Sequence, residues 1–318
     1  KSREYEIEDV FRTYGVLTRE AGFYFYFSRK IRELRECGHE GTARAYASSL
    51  RSMQRYLGKK DFPFIKLSSR IISDYQGKLL ASGICDNTIG FYLHNIKALF
   101  RKGCREMGLE LPCPFRDISI KTEKTLKRSL DPVVIKTLSA IELEKDSPLS
   151  LARDIFMFSF YTRGMSFVDI ALLKKRHVFP GEICYRRHKT DQLMRVGINK
   201  EISRILERYK NVPGEYIFPL FPAERDPYAG YRSAYHRIRY SLGKISRVIG
   251  LEFPLRLHAA RHSWATIAKV NGASVHVIGE CLGHTSEKTT RIYLKELDHS
   301  ALDAVNNQVA DFILAVDD

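Results

Sequence analysis

Apolar positions through residue 112 or so recur at helical, not strand, spacing. FYFYFSRKIRELREC (23–37) runs up to Gly38. GTARAYASSLRSMQRYLG (41–58) brings Ala45, Leu50, Met53 and Leu57 near one face, with Thr42 as the expected cap. SSRIISDYQGKLLASG (68–83) and DNTIGFYLHNIKALFRKGCREMG (86–108) repeat the pattern, and Gly38, Gly58, Gly83 and Gly108 punctuate it. A small helical bundle is predicted over 1–115, closed by LPCPF (111–115). Residues 116–132 are polar, basic and weakly periodic, which predicts a linker between domains. A mixed pattern fills 133–318, with helices expected at 133–144, 149–161, 199–209, 230–248, 258–270 and 274–282. RGMSFVDIALLKK (163–175) opens with a tight turn, and Ser166 and Asp169 have capping-box spacing. GEICYRRHKTDQLMRVGINK (181–200) alternates like a β-hairpin around Lys189-Thr190-Asp191-Gln192. The C-terminal stretch sets Val305, Val309, Phe312 and Ile313 on one helical face. The fold class is therefore mainly α, with a small β-hairpin or sheet in the second domain.

Charge narrows the partners. The 318 residues carry a net charge of +15, shared about equally between residues 1–120 and the remainder. A polyanion gripped by both halves fits this balance, nucleic acid before an anionic membrane. Cys37, Cys85, Cys104, Cys113, Cys184 and Cys281 form no C-x-x-C pair, so free thiols in a reducing compartment are expected. The N-terminal residues contain no apolar signal region, and the chain opens on Lys1 without Met, as a trimmed or partial chain would. IFMFSFY (155–161) is among the longest apolar runs and is too short to span a bilayer. The expectation is a soluble cytoplasmic protein.

Candidate chemistry concentrates in LHAARHSWATIAKVNG (257–272). His258 and Arg261 stand at i and i+3 near a helix N-terminus, a cationic face suited to a phosphate. His262 completes an H-x-x-x-H spacing, but Ala259 replaces the glutamate of the zinc signature and Arg261 would repel a divalent cation. No metal or other cofactor is expected. Arg163 lies in the turn YTRGMS, Lys189 at the hairpin tip, and His284 just behind Gly283. Tyr293 follows His284 by nine residues. Singly, these residues read as a helix-capping arginine, a solvated lysine and a tyrosine packed between Ile292 and Leu294. Jointly, the order Arg, Lys, His-x-x-Arg, His, Tyr is specific.

That order resembles the tyrosine recombinases of the phage-integrase family. The likeness covers most of the chain. GTARAYASSLRSM and NTIGFYLHNIKALF are similar to the family's core-binding domain. YTRGMSFVDIALLKK, RRHKTDQ, ARHSWATIA and GHTSEKTTRIYL look most like recombinases of Bacteroides-type bacteria and their mobile elements. The resemblance implies a SAM-like core-binding domain and an α+β catalytic domain. It implies that Tyr293 attacks a DNA phosphodiester, forming a 3′-phosphotyrosine. Arg163 and Arg261 would hold the non-bridging oxygens, and Lys189 would protonate the leaving 5′-oxygen. His258 would serve as acid and base, and His284 would donate to the phosphate. A tyrosine hydroxyl, with a pKa of about 10, needs such cations to become a nucleophile. Lys121, Lys124, Lys127, Arg128 and Arg187 are candidate DNA contacts. The implied partners are double-stranded DNA, a homotetramer formed on it through a Holliday junction, and accessory DNA-bending or directionality proteins. The C-terminal stripe would dock on a neighbouring subunit. The alternatives are a type IB topoisomerase and a non-catalytic DNA-binding accessory factor.

Overall fold

Helical periodicity in the first third of the chain becomes four α-helices in the computed structural model, which describes residues 22–121, 123, 129–221, 227–284, 286 and 289–290. They are α1 (Phe23–Glu36), α2 (Glu40–Leu57), α3 (Ser69–Ala81) and α4 (Asp86–Glu106). Gly38, Gly58, Gly83 and Gly108 follow their ends at positive φ, as their placement in the sequence predicted. Thr42 is not a cap. The helix starts at Glu40 behind His39, where Glu40 meets the positive helix end and pairs with Arg44 at 2.6 Å. The amides of Tyr24 and Phe25 at the start of α1 both donate to Asp61, at 2.8 Å each. Phe23, Tyr26, Phe27, Phe64 and Phe100 are buried together in this core. Residues expected to begin the linker run along the same unit, where Asn87 exchanges two 3.0 Å bonds with the backbone of Glu123.

Contacts divide the chain into Lys1–Thr125 and Leu126–Asp318. In the second unit α5 (Pro132–Ala140) starts on Asp131, which accepts from the Val133 amide at 2.7 Å. It stops short of the expected residue 144 because Ile141 turns extended, its carbonyl accepting from Arg153 at 2.9 Å. Helix α6 (Pro148–Tyr161) is the central element, with Asp154 to Ser159 buried in succession. It packs against α5, α8 (Lys200–Arg208), α9 (Pro227–Val248) and α10 (Leu257–Val270). A helix buried on all sides needs apolar residues all round, as IFMF supplies.

The segment 163–175 opens with the expected tight turn and then carries little helix. Only α7 (Phe167–Ala171) forms, because residues 173–175 pair with 215–217 through Ile217 N to Leu173 O (3.0 Å) and Lys175 N to Glu215 O (2.8 Å). A short strand β1 (Val178–Phe179) joins β2 (Glu182–Arg186) and β3 (Leu193–Gly197) in an antiparallel sheet of order β1-β2-β3. Tyr185 faces Met194 and Ile183 faces Val196, all four buried, so the predicted alternation fixes the register. Helix α11 (Val275–Cys281) completes the described elements. Among the described residues no helix is long and apolar enough to cross a membrane.

Candidate active site

Arg163 stands where α6 ends. Its amide donates to Phe160 O and that of Gly164 to Ser159 O, at 3.2 and 2.7 Å. Both residues are left-handed, with φ of 60° and 73°. For a non-glycine residue this conformation costs about 1 kcal/mol, and such strain gathers at functional sites. At Gly164 it is unavoidable: a Cβ there would lie 2.6 to 2.8 Å from Cγ, Cβ and Cα of Arg261. Glycine thus lets α10 press onto the turn. The buried Arg261 guanidinium then donates to Gly164 O at 2.9 Å and to Leu282 O, and meets His284 Nε2 at 3.1 Å. The Arg163 guanidinium lies 3.9 Å from Cys281 Sγ.

The hairpin brings Lys189 to the same place. Ser166 and Asp169 do not form the expected capping box, since the Ser166 side chain caps no amide. Instead Asp169, buried, accepts from Ser166 Oγ at 2.6 Å and from the His188 amide at 2.8 Å. The acid is therefore a tie between the Arg163 turn and the hairpin tip. Arg187 adds a second tie by donating to Gly283 O. Lys189 itself is exposed.

His284 is held on both sides. Its Nδ1 lies 2.9 Å from Thr290 Oγ1, and its Nε2 faces Arg261. An arginine can only donate, so Nε2 accepts and the ring proton sits on Nδ1. Burial lowers the pKa of His284 to about 4, and the charges of Arg261, Arg187 and Lys189 push the same way. The imidazole is neutral at pH 7. His258 is exposed one turn before Arg261, its ring centroid 4.6 Å from that of His262. Tyr185 also lies near Arg163, Arg187 and Arg261, but burial and then Asp169 raise its hydroxyl well above the ordinary range, which disfavours it as a nucleophile. No group of three His, Cys, Asp or Glu among the described residues is arranged to hold a metal ion.

The site thus gathers Arg163, Lys189, Arg261 and His284 from the α6 turn, the hairpin, α10 and the end of α11, while His258 stands one turn before Arg261 on α10. Lys121 is exposed in the first unit. Tyr293, Lys124, Lys127, Arg128 and the stripe Val305, Val309, Phe312 and Ile313 lie outside the described residues. Two contributors escaped the sequence reading. Asp169 was visible only as a helix cap, and Thr290 carried no signal beyond its place in the Ser/Thr-rich segment.

These features define a helical protein whose second unit holds a cation-lined site for an anion. The chain belongs to the phage integrase family: the family model so described matches residues 129–299, and the phage integrase SAM-like domain matches 22–115. It is 26% identical over 226 residues to tyrosine recombinase XerC of Shewanella oneidensis, covering 68% of this chain and 70% of that protein. Its fold is that of the Tn1549 transposon integrase solved with transposon right-end DNA (TM-score 0.66, 15% identity, 91% of this chain and 99% of that one). The lambda integrase dimer bound to a COC′ core site is similar as well (TM-score 0.64, 18% identity, 86% and 96%).

Proposed function

We infer that the chain is a site-specific DNA recombinase that cuts and rejoins strands through a phosphotyrosine at Tyr293. The carrying observation is the convergence of Arg163, Lys189, Arg261 and His284, four residues from separate segments, on one site. In this reading Tyr293 Oη attacks the phosphorus, the bond to the 5′-oxygen breaks, and Lys189 gives that oxygen its proton. Arg163 and Arg261 stabilise the charge that grows on the non-bridging oxygens, with His258 taking up the tyrosine proton. The attack of another 5′-hydroxyl on the phosphotyrosine reverses the chemistry and reseals a strand. No external energy source is needed, because the ester bond is exchanged rather than hydrolysed.

His284 enters this scheme with a condition. Its Nε2 accepts from Arg261 before DNA arrives, so donating to a phosphate requires it to gain a proton. Burial is the larger cause of its low pKa, and an incoming anion offsets the three cations that add to it, which favours that gain. The arginines and Lys189 supply positive charge directly, so the reaction is assigned no metal or other cofactor.

Both domains, 1–115 and 133–318, would contact the duplex, with the 116–132 linker and Arg187 contributing phosphate contacts. The assembly would be a homotetramer on two sites in the cytoplasm, with the C-terminal stripe docked on a neighbouring subunit. Accessory DNA-bending or directionality proteins would act on the DNA and select direction. Family membership and the intact cation set favour this over topoisomerase-like relaxation and over a non-catalytic role.

A suicide substrate drawn from the surrounding genomic DNA tests the reading. Wild-type protein should form a covalent adduct on a denaturing gel, in EDTA as in magnesium. Tyr293→Phe should bind the DNA and form none. An undiminished adduct in that variant, or a strict magnesium requirement, would refute it.

A further inference from the structure

His284 depends on a residue that lies outside the ordered set of catalytic candidates. Thr290 is fully buried, and its Oγ1 is 2.9 Å from His284 Nδ1. The fold makes room for this contact. A Cβ on Gly279, in α11, would lie 2.8 Å from Thr290 Oγ1, so glycine at that position lets the threonine come in against the helix. The same helix end sets the backbone of His284, whose amide donates to Gly279 O at 2.9 Å. One glycine therefore receives both the backbone of the histidine and the side chain that holds its ring.

The tautomer follows from the donors present. Arg261 Nη2, 3.1 Å from His284 Nε2, cannot accept a hydrogen bond. A neutral imidazole that accepts at Nε2 must carry its proton on Nδ1, and Thr290 Oγ1 is the acceptor described there. If the hydroxyl were removed, the Nδ1 proton would sit against an apolar methyl. The ring would lose this bond and could rotate or move its proton to Nε2. In that second form two donors, Nε2–H and the guanidinium, would face each other.

We propose that Thr290 is the positioning residue of this site: its hydroxyl accepts from the Nδ1–H that Arg261 imposes and holds the His284 ring where Nε2 faces Arg261. Arg261 is then held by Gly164 O, Leu282 O and His284 Nε2 together, and the hydroxyl acts on the phosphate-binding group through the imidazole. The effect on rate rests on the recombinase reading; the hold on the ring does not. It resembles the way a hydrogen bond to one ring nitrogen sets the role of the other in catalytic and metal-bound histidines.

Full-length protein with ¹⁵N-labelled histidine gives the direct test, with the His284 signal assigned by its loss in His284→Gln. A long-range ¹H–¹⁵N correlation should show Nδ1–H in the wild type and in Thr290→Ser. Thr290→Val, of nearly the same shape, should lose the hydrogen-bonded character of that signal, with a shifted Nδ1 resonance and faster exchange of its proton. On the suicide substrate Thr290→Val should form adduct about tenfold more slowly or worse, with DNA affinity within about twofold, since small misplacements cost rate steeply. Thr290→Ser should recover most of the rate. In a His284→Gln background, Thr290→Val should have no further effect, as coupled residues require. An Nδ1–H signal unchanged in position and exchange in Thr290→Val, or rate losses that add in the double variant, would overturn the proposal. Should the valine variant not fold, Thr290→Ala answers the same two questions. A wild type that makes no adduct would remove the recombinase reading and leave the tautomer measurement standing.

Discussion

Substituting Gly164 by alanine should damage stability and chemistry together, and the size of each effect can be worked from the geometry. The left-handed conformation at φ 73° costs an alanine about 1 kcal/mol. The new Cβ would meet Arg261 Cγ, Cβ and Cα at 2.6, 2.7 and 2.8 Å. One of these atoms is backbone and another is fixed to it, so neither can swing aside as a flexible chain end would. Carbon atoms in comfortable contact stand about 3.5–4 Å apart, so α10 must retreat by on the order of 1 Å. Overpacking of this kind costs about 1–3 kcal/mol, giving a total near 2–4 kcal/mol. The retreat carries Arg261 away from its place, and a misplacement of about 1 Å can cost about 100-fold in rate. Gly181→Ala is the control, because Gly181 has φ 83° but no atom within 4 Å of the added Cβ. It should lose about 1 kcal/mol and cleave normally. Urea unfolding and single-turnover adduct formation on both variants decide the matter. The reasoning fails if Gly164→Ala is no less stable than Gly181→Ala, or if it is unstable yet cleaves at the wild-type rate.

Asp154→Asn should lower stability by about 2–4 kcal/mol in urea unfolding, because the buried carboxylate is held by Arg153 at 2.6 Å, Arg208 at 2.7 Å and the Tyr209 hydroxyl at 2.9 Å. A loss under 1 kcal/mol would show that the neutral amide replaces it. For His284 the folded pKa, about 4, lies below the unfolded value of 6.5, so folding favours the neutral ring. Its contribution to stability is full above pH 6.5 and is lost as pH falls through 4, and His284→Gln should flatten that part of the profile between pH 7 and 4. Truncation after Leu302 should leave a folded protein that binds one DNA site but loses cooperativity between adjacent sites, seen in band-shift titrations. Unfolding of the catalytic domain, or intact cooperativity, would assign the apolar stripe to its own subunit.

Periodic elements were legible in the sequence because burial imposes their pattern. The four N-terminal helices, α6 and the β2–β3 hairpin fall close to where their apolar spacing set them. Misreadings arose where a neighbouring signal or a distant partner overrides the apparent local preference. Thr42 looked like a cap, but Glu40 extends the helix by a favourable acidic first turn. Ser166 and Asp169 have the spacing of a capping box, yet Asp169 is taken by the His188 amide across the hairpin. Asp61 serves the start of α1 from 36 and 37 residues away, and no local pattern encodes that. For the site, the ordered cations were legible as types and spacings. The groups that aim them were not, because Asp169 and Thr290 act across turns that only the fold closes.

How the cations are held explains why they remain useful to an anion. The described bonds that fix Arg261 run to Gly164 O, Leu282 O and a neutral imidazole, and the one that fixes Arg187 runs to Gly283 O. These carbonyls follow the ends of α6 and α11, where helical carbonyls lack intrahelical partners and carry partial negative charge. They orient a guanidinium without neutralising it. The buried acid nearby, Asp169, directs its two oxygens to Ser166 Oγ and the His188 amide instead. Burial is the main cause of the depressed pKa of His284, and the field of Arg261, Arg187 and Lys189 adds to it in the same direction. Catalysis by a weakly acidic tyrosine needs such a field to exist before the substrate arrives, so that forming the phenolate and the crowded phosphorus costs no reorganisation.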